Sequence, residues 1–124
     1  MTRPVCEERR RRITCDRGAA TAEFAMVLPA LVLLLALFAG AATVGMTQLR
    51  AYDAARAAAR EAARGEPQHT VVAEAEKRAG AGSKATIRTE GGYTEVAVVI
   101  GLPQPVSMIL KQVESSATAR TEGS

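Results

Sequence analysis

The sequence predicts an α+β chain: a long N-terminal transmembrane helix that continues outside the membrane, then a short helix and a small antiparallel sheet. Three observations carry this. Residues 24–49 form one uncharged run, FAMVLPALVLLLALFAGAATVGMTQL. An Ala/Arg-rich stretch, QLRAYDAARAAAREAARG, follows without a helix breaker. Beyond about residue 83 the apolar period changes from helical to alternating, the signature of strands.

The basic segment 1–18 comes first and is read as a cytoplasmic leader. It holds six arginines (Arg3, Arg9, Arg10, Arg11, Arg12, Arg17) against Glu7, Glu8 and Asp16. The whole chain has 16 Lys+Arg and 13 Asp+Glu, so residues 19–124 keep ten of each sign and are neutral. The basic character belongs to the leader, and the body carries no charge excess of the kind that nucleic acid would attract. Cys6 and Cys15, the two cysteines, also lie in the leader. They are read as reduced cytoplasmic thiols.

Residues 19–49 are read as the transmembrane helix. At 1.5 Å per residue the uncharged run is about 39 Å long, against about 30 Å of bilayer hydrocarbon. No polar face interrupts Val27 to Phe38, and a helix apolar all round belongs in lipid or deep inside a large protein. Pro29 removes one backbone donor and is expected to kink the first turns. Arginines before the run and a nearly balanced flank after it place the N-terminus inside and the C-terminal body outside.

Residues 50–65 extend that helix, giving one continuous helix from about Ala19 to Arg64, with Gly65 and Pro67 as the stop. Leu49, Tyr52, Ala55, Ala59 and Ala63 form its less polar stripe. Arg56, Arg60 and Arg64 form a solvated row. Residues 66–124 are a small α+β tail. A short helix is expected at about His69–Ala79, with Val71, Val72, Ala75 and Ala79 on one side. Ala85–Thr89 and Tyr93–Leu102 read as strands joined at Glu90-Gly91-Gly92. Val96, Val98 and Ile100 share a face. Pro103 and Pro105 end the second strand, Val106–Lys111 reads as a short helical turn or loop, and Val113, Ser115, Ala117 and Ala119 alternate as a last strand ending near Arg120. The apolar face of this sheet needs cover, and the extended helix is the candidate. Pairs such as Glu61 with Arg64 and Glu74 with Arg78 read as ordinary helix pairs.

The composition argues against catalysis. There is one histidine, His69, no cysteine beyond the leader, no Gly-rich phosphate loop and no clustered metal ligands. No enzymatic activity, cofactor, metal, catalytic residue, nucleic acid or small-molecule substrate is expected.

The most informative stretch is Arg17-Gly18-Ala19-Ala20-Thr21-Ala22-Glu23-Phe24. An acid at the mouth of an apolar run is costly and needs a reason. This stretch resembles the processing site of type IV prepilins and pseudopilins. With the phrase RGAATAEFAMVLPALVLLL, the Ala/Arg helix and the β-rich tail, the chain is similar to TadE-like minor pilins of the Tad (Flp) tight-adherence system. The resemblance implies a structural role in assembling a Tad-type pilus or secretion apparatus. It implies processing between Gly18 and Ala19 by a prepilin peptidase on the cytoplasmic side. It makes Glu23 and Phe24 subunit-assembly residues, with Glu23 pairing the new N-terminal amine of a neighbouring subunit. The implied partners are membrane lipid, the peptidase, other pilin subunits and Tad assembly proteins. The implied location is the cell membrane as a single pass, with extraction into a pilus as a further destination. Ala19 is a departure, since a bulky residue usually begins the mature chain. Two alternatives stand beside this reading: an unprocessed single-pass anchor with a small extracytoplasmic interaction domain, and a secretory signal cut after Ala39-Gly40-Ala41.

Overall fold

In the computed structural model, which describes residues 6–122 in backbone and side chains from residue 18, a helix of 58 residues dominates the chain. This helix, α1, is Cys6–Ala63. It starts well before Ala19, where the sequence reading began it. The reason is local: residues 6–17 are rich in Arg and Glu, both good helix formers, and contain no Pro or Gly. The leader side chains, the six arginines and both cysteines among them, lie outside the described residues. After α1 come α2 (Gln68–Ala79), β1 (Ser83–Glu90), β2 (Tyr93–Gly101), a 3₁₀ turn (Val106–Met108) and β3 (Gln112–Arg120).

The described chain divides into two units, one ending at Ala39 and the other starting at Gly40. The described residues of the first unit are helix alone. Its apolar side chains are open on every side: Leu28, Leu31 and Leu34 are about half exposed, and Leu33, Leu37 and Phe38 more so. The helix from Gly18 onward contains a window of mean hydropathy 2.5, none of it buried against protein. It is long and apolar enough to cross a membrane. Pro29 lies inside α1, which continues past it.

The second unit holds the core. Its sheet is a three-stranded antiparallel meander in the order β1-β2-β3. Glu90 pairs with Tyr93, which leaves Gly91 and Gly92 as a two-residue hairpin loop. Both have positive φ, 59° and 80°. A type I′ hairpin demands that at both central positions, and glycine adopts it without strain. Ile87, Val96 and Ala117 line up across the strands, as do Ala85, Val98 and Ser115. This face carries Val96 and Val98 at 0% exposure.

The cover for that face comes from two helices. Ala51, Ala54, Ala55, Ala58 and Ala59 of α1 are buried in one cluster with Val71, Ala75 and Ala79 of α2 and with Ala85, Val96, Val98 and Ile100 of the sheet. Val72 is partly buried beside them. The expected stripe was half right. Ala55, Ala59 and Ala63 are buried, but Leu49 and Tyr52 are exposed. At 100° per residue Leu49 lies about 160° around the helix from Ala51, off the buried seam, and Tyr52 lies at the seam's border, about 100° from Ala51. The seam is made of the smallest side chain, which lets the helix axis come close to the sheet. Arg56, Arg60 and Arg64 are exposed on the opposite side, as expected.

The end of α1 is a Schellman arrangement. Gly65 N–H donates to the Ala62 carbonyl at 3.1 Å, and Glu66 N–H to the Glu61 carbonyl at 3.4 Å. Gly65 takes φ 90° there, the left-handed conformation this cap requires. The Ala63 carbonyl is taken by Glu122 N–H at 3.0 Å, so the segment after β3 closes the helix end.

Replacing a seam alanine should be costly. Ala55→Leu adds volume where the residue is fully buried, and is expected to destabilise the second unit by about 1–3 kcal/mol. Arg56→Ala, one residue on and exposed, should stay within about 0.5 kcal/mol. Urea unfolding of the detergent-solubilised full chain, followed by circular dichroism, checks both.

Candidate functional site at the head of the apolar helix

Gly18, Ala19, Glu23 and Phe24 all lie on α1, close to where the uncharged run begins. Each is exposed. A Cβ built on Gly18 meets nothing within 4 Å, so the structure places no packing demand on glycine there. Ala19 and Glu23 are four residues apart and stand one helical turn from each other. Phe24 is 70% exposed. Glu23 makes no hydrogen bond or ion pair among the described residues. An acid at the edge of an apolar helix, exposed and unpaired among the described residues, is open to a partner outside them.

The second unit holds polar contacts that the sequence reading missed or misassigned. Gln48 Nε2 donates to Ser115 Oγ at 2.8 Å and reaches the Glu114 carbonyl at 3.3 Å. This ties α1 to β3 at the last polar residue before the charged part of the helix. Nothing in the local pattern pointed to Gln48, because its partner is 67 residues away. Glu61 does not pair with Arg64. Its Oε1 sits 3.1 Å from Arg78 Nη2 on α2, while Arg64 Nε turns back to the Arg60 carbonyl. Helical spacing suggests local pairs, but α2 brings a better-placed guanidinium across. The Glu74–Arg78 pair is present as expected, at 3.3 Å. Glu76 Oε1 accepts from Ala85 N–H at 3.1 Å, which joins α2 to the exposed edge of β1.

A cleft of about 730 Å³ opens in the second unit between the helix from Ala42 to Arg50, the Ala79–Ala81 turn and the end of β2. Arg50 is the one ionisable residue in its lining. Such a lining offers shape and apolar contact, with no paired acid and base for proton transfer.

Comparison with curated proteins and with solved structures finds no match. One protein family does match: residues 18–64 align with the family described as TadE-like protein. The match opens on Gly18 and closes at the residue after the last one of α1. It therefore covers the exposed acid, the apolar run and the alanine seam, and leaves the sheet outside it.

Because Glu23 has no partner among the described residues, Glu23→Gln should leave the unfolding of the isolated protein within about 0.5 kcal/mol of the parent. A larger loss in the same urea titration would mean that the acid serves the fold of its own chain. The cross-helix pair behaves differently: a double-mutant cycle on Glu61 and Arg78 should return a coupling of about 0.2–1 kcal/mol that shrinks in high salt, as befits a half-exposed ion pair. Residues 18–64, from the head of the apolar run to the end of the long helix, are thus similar to the TadE-like protein family, a likeness that spans well under half of the chain.

Proposed function

We propose that the protein is a minor pilin or pseudopilin of a Tad-type pilus or secretion apparatus, matured by prepilin peptidase cleavage after Gly18. The carrying observation is Glu23: an exposed acid without a partner among the described residues, five residues after the glycine at which the TadE-like match begins. Cutting between Gly18 and Ala19 removes six arginines and both cysteines and creates an ammonium at Ala19. The body left behind is neutral.

The chemistry then follows from dielectric. Ammonium and carboxylate attract weakly in water and far more strongly among apolar helices. An unpaired charge in such a bundle is penalised by several kcal/mol, on the order expected for a broken buried pair. Glu23 of one subunit therefore pairs with the Ala19 amine of the next and sets the axial register between them, with Phe24 packing beside the pair. Pro29 loosens the helix just beyond it. The N-terminus lies in the cytoplasm and the tail outside, in line with the arginine-rich leader. Lipid, the peptidase, other pilin subunits and Tad assembly proteins are the partners of this reading, and its role is structural, with no catalysis.

Intact mass and N-terminal sequencing of the membrane-extracted protein, co-expressed with a prepilin peptidase, provide the test. The expected result is a new N-terminus at Ala19 that disappears in Gly18→Val. A start at Met1 would favour an unprocessed anchor, and a start just after Ala41 a secreted tail. Given cleavage, Glu23→Ala is expected to yield processed but unassembled protein; normal assembly of that variant would sink the pairing role.

A further inference from the structure

In the second unit Met46, Leu49 and Tyr52 of α1 and Tyr93 of the hairpin are exposed singly, and one run of consecutive large apolar side chains is exposed together. Met108, Ile109 and Leu110, consecutive in the connection from β2 to β3, are 82%, 93% and 42% exposed. The connection is a built turn. Leu102 N–H donates to the Lys111 carbonyl across its base, and Ser107 and Leu110 N–H groups donate to the Pro103 and Val106 carbonyls, all at 3.0–3.1 Å. Three open apolar side chains held on an ordered tip are a surface that water disfavours.

Where this tip sits along α1 identifies its solvent. A Cβ on Gly40 would lie 3.8 Å from Val106 Cγ2, so the turn packs on the helix at Gly40. Gly40 is ten residues before Arg50, the first charge on α1 after Glu23. At helical rise that is about 15 Å into the uncharged run. Residues 101–110 are themselves uncharged, and the first charge after the tip is Lys111.

We propose that the Met108-Ile109-Leu110 tip inserts into the membrane leaflet on the tail side, as a second lipid contact beside the helix. Lys111 and Arg50 then stand at the level of the lipid phosphates, their stems in the apolar zone and their charges at its border. The tail is thereby anchored at one end of its sheet and its orientation to the membrane is set, as an interfacial apolar element does. This rests on the reading of the uncharged run as a membrane span, and the test separates the two.

The chain contains no tryptophan, so each single Trp substitution is a site-specific probe. Ile109→Trp, Tyr93→Trp and Leu34→Trp variants of the full chain are reconstituted in phosphatidylcholine–phosphatidylglycerol vesicles, with and without brominated phosphatidylcholine. Met108→Trp stands in if Ile109→Trp lacks the parent's circular dichroism. Tyr93 is exposed at the hairpin end of the sheet, away from the tip. The expected result is blue-shifted emission and loss of fluorescence on brominated lipid for Ile109→Trp and Leu34→Trp, with Tyr93→Trp red-shifted and unquenched. Quenching of Leu34→Trp alone overturns the tip insertion and leaves the span. Absence of quenching in Leu34→Trp overturns the span and the insertion with it. A blue shift of Ile109→Trp without bromine quenching places the tip against protein, such as a second copy, and also overturns the proposal.

Discussion

The contact between the alanine seam of α1 and the sheet is the constraint on which the second unit depends. Ala51, Ala54, Ala55, Ala58 and Ala59 are all at 2% exposure or less. None brings much apolar area by itself. What they bring is proximity, since a methyl group lets backbone and sheet approach until Val96 and Val98 are sealed from water. A sheet of three strands has one face to bury and too little chain to bury it alone. The helix that would otherwise be a plain extension of an apolar run becomes half of the core.

Other contacts of the second unit reinforce this seam. Gln48 holds β3 from one end of the buried stretch, and Glu122 N–H holds the Ala63 carbonyl at the other. The Glu61–Arg78 pair and the Glu76–Ala85 bond lash α2 to α1 and to β1. These polar links are each modest, but they sit at the rim, where they orient the elements while the apolar cluster supplies the stability. The bonds of Thr121 to Gly92 and of Glu122 to Ala63 bring the segment after β3 back to the hairpin and the helix stop.

One helix thus carries two residue patterns along its length. From Phe24 to Phe38 it is apolar all round and open, with an acid just before this run that has no partner among the described residues. Toward its end it is divided into an alanine face and an arginine face. The TadE-like match covers both regimes and stops where the helix stops. The core of the second unit draws on the later residues of that helix, Ala51 to Ala59, which are remote in sequence from Glu23. Substitutions at Glu23 and at Ala55 are thus separable in their effects.

Much of this was legible in the sequence. The apolar run, the Gly65 stop, the Gly91-Gly92 hairpin and the alternation of β2 and β3 are local patterns, set by backbone sterics and by residue spacing, and they needed no knowledge of distant neighbours. The Gly18–Glu23 spacing is likewise a contiguous pattern of the sequence. Three features depended on tertiary structure. Leu49 and Tyr52 looked like core by their apolarity, yet the side of the helix that the sheet selects excludes them. Glu61 chose Arg78 over Arg64 because α2 delivers a guanidinium that helical spacing does not reveal. Gln48 and Ser115, 67 residues apart, met only because the sheet folds back on the helix. Residue type and spacing determine which segments form and where they stop; which faces meet, and which distant polar groups pair, is decided by the packing of elements whose separation in sequence carries no local signal.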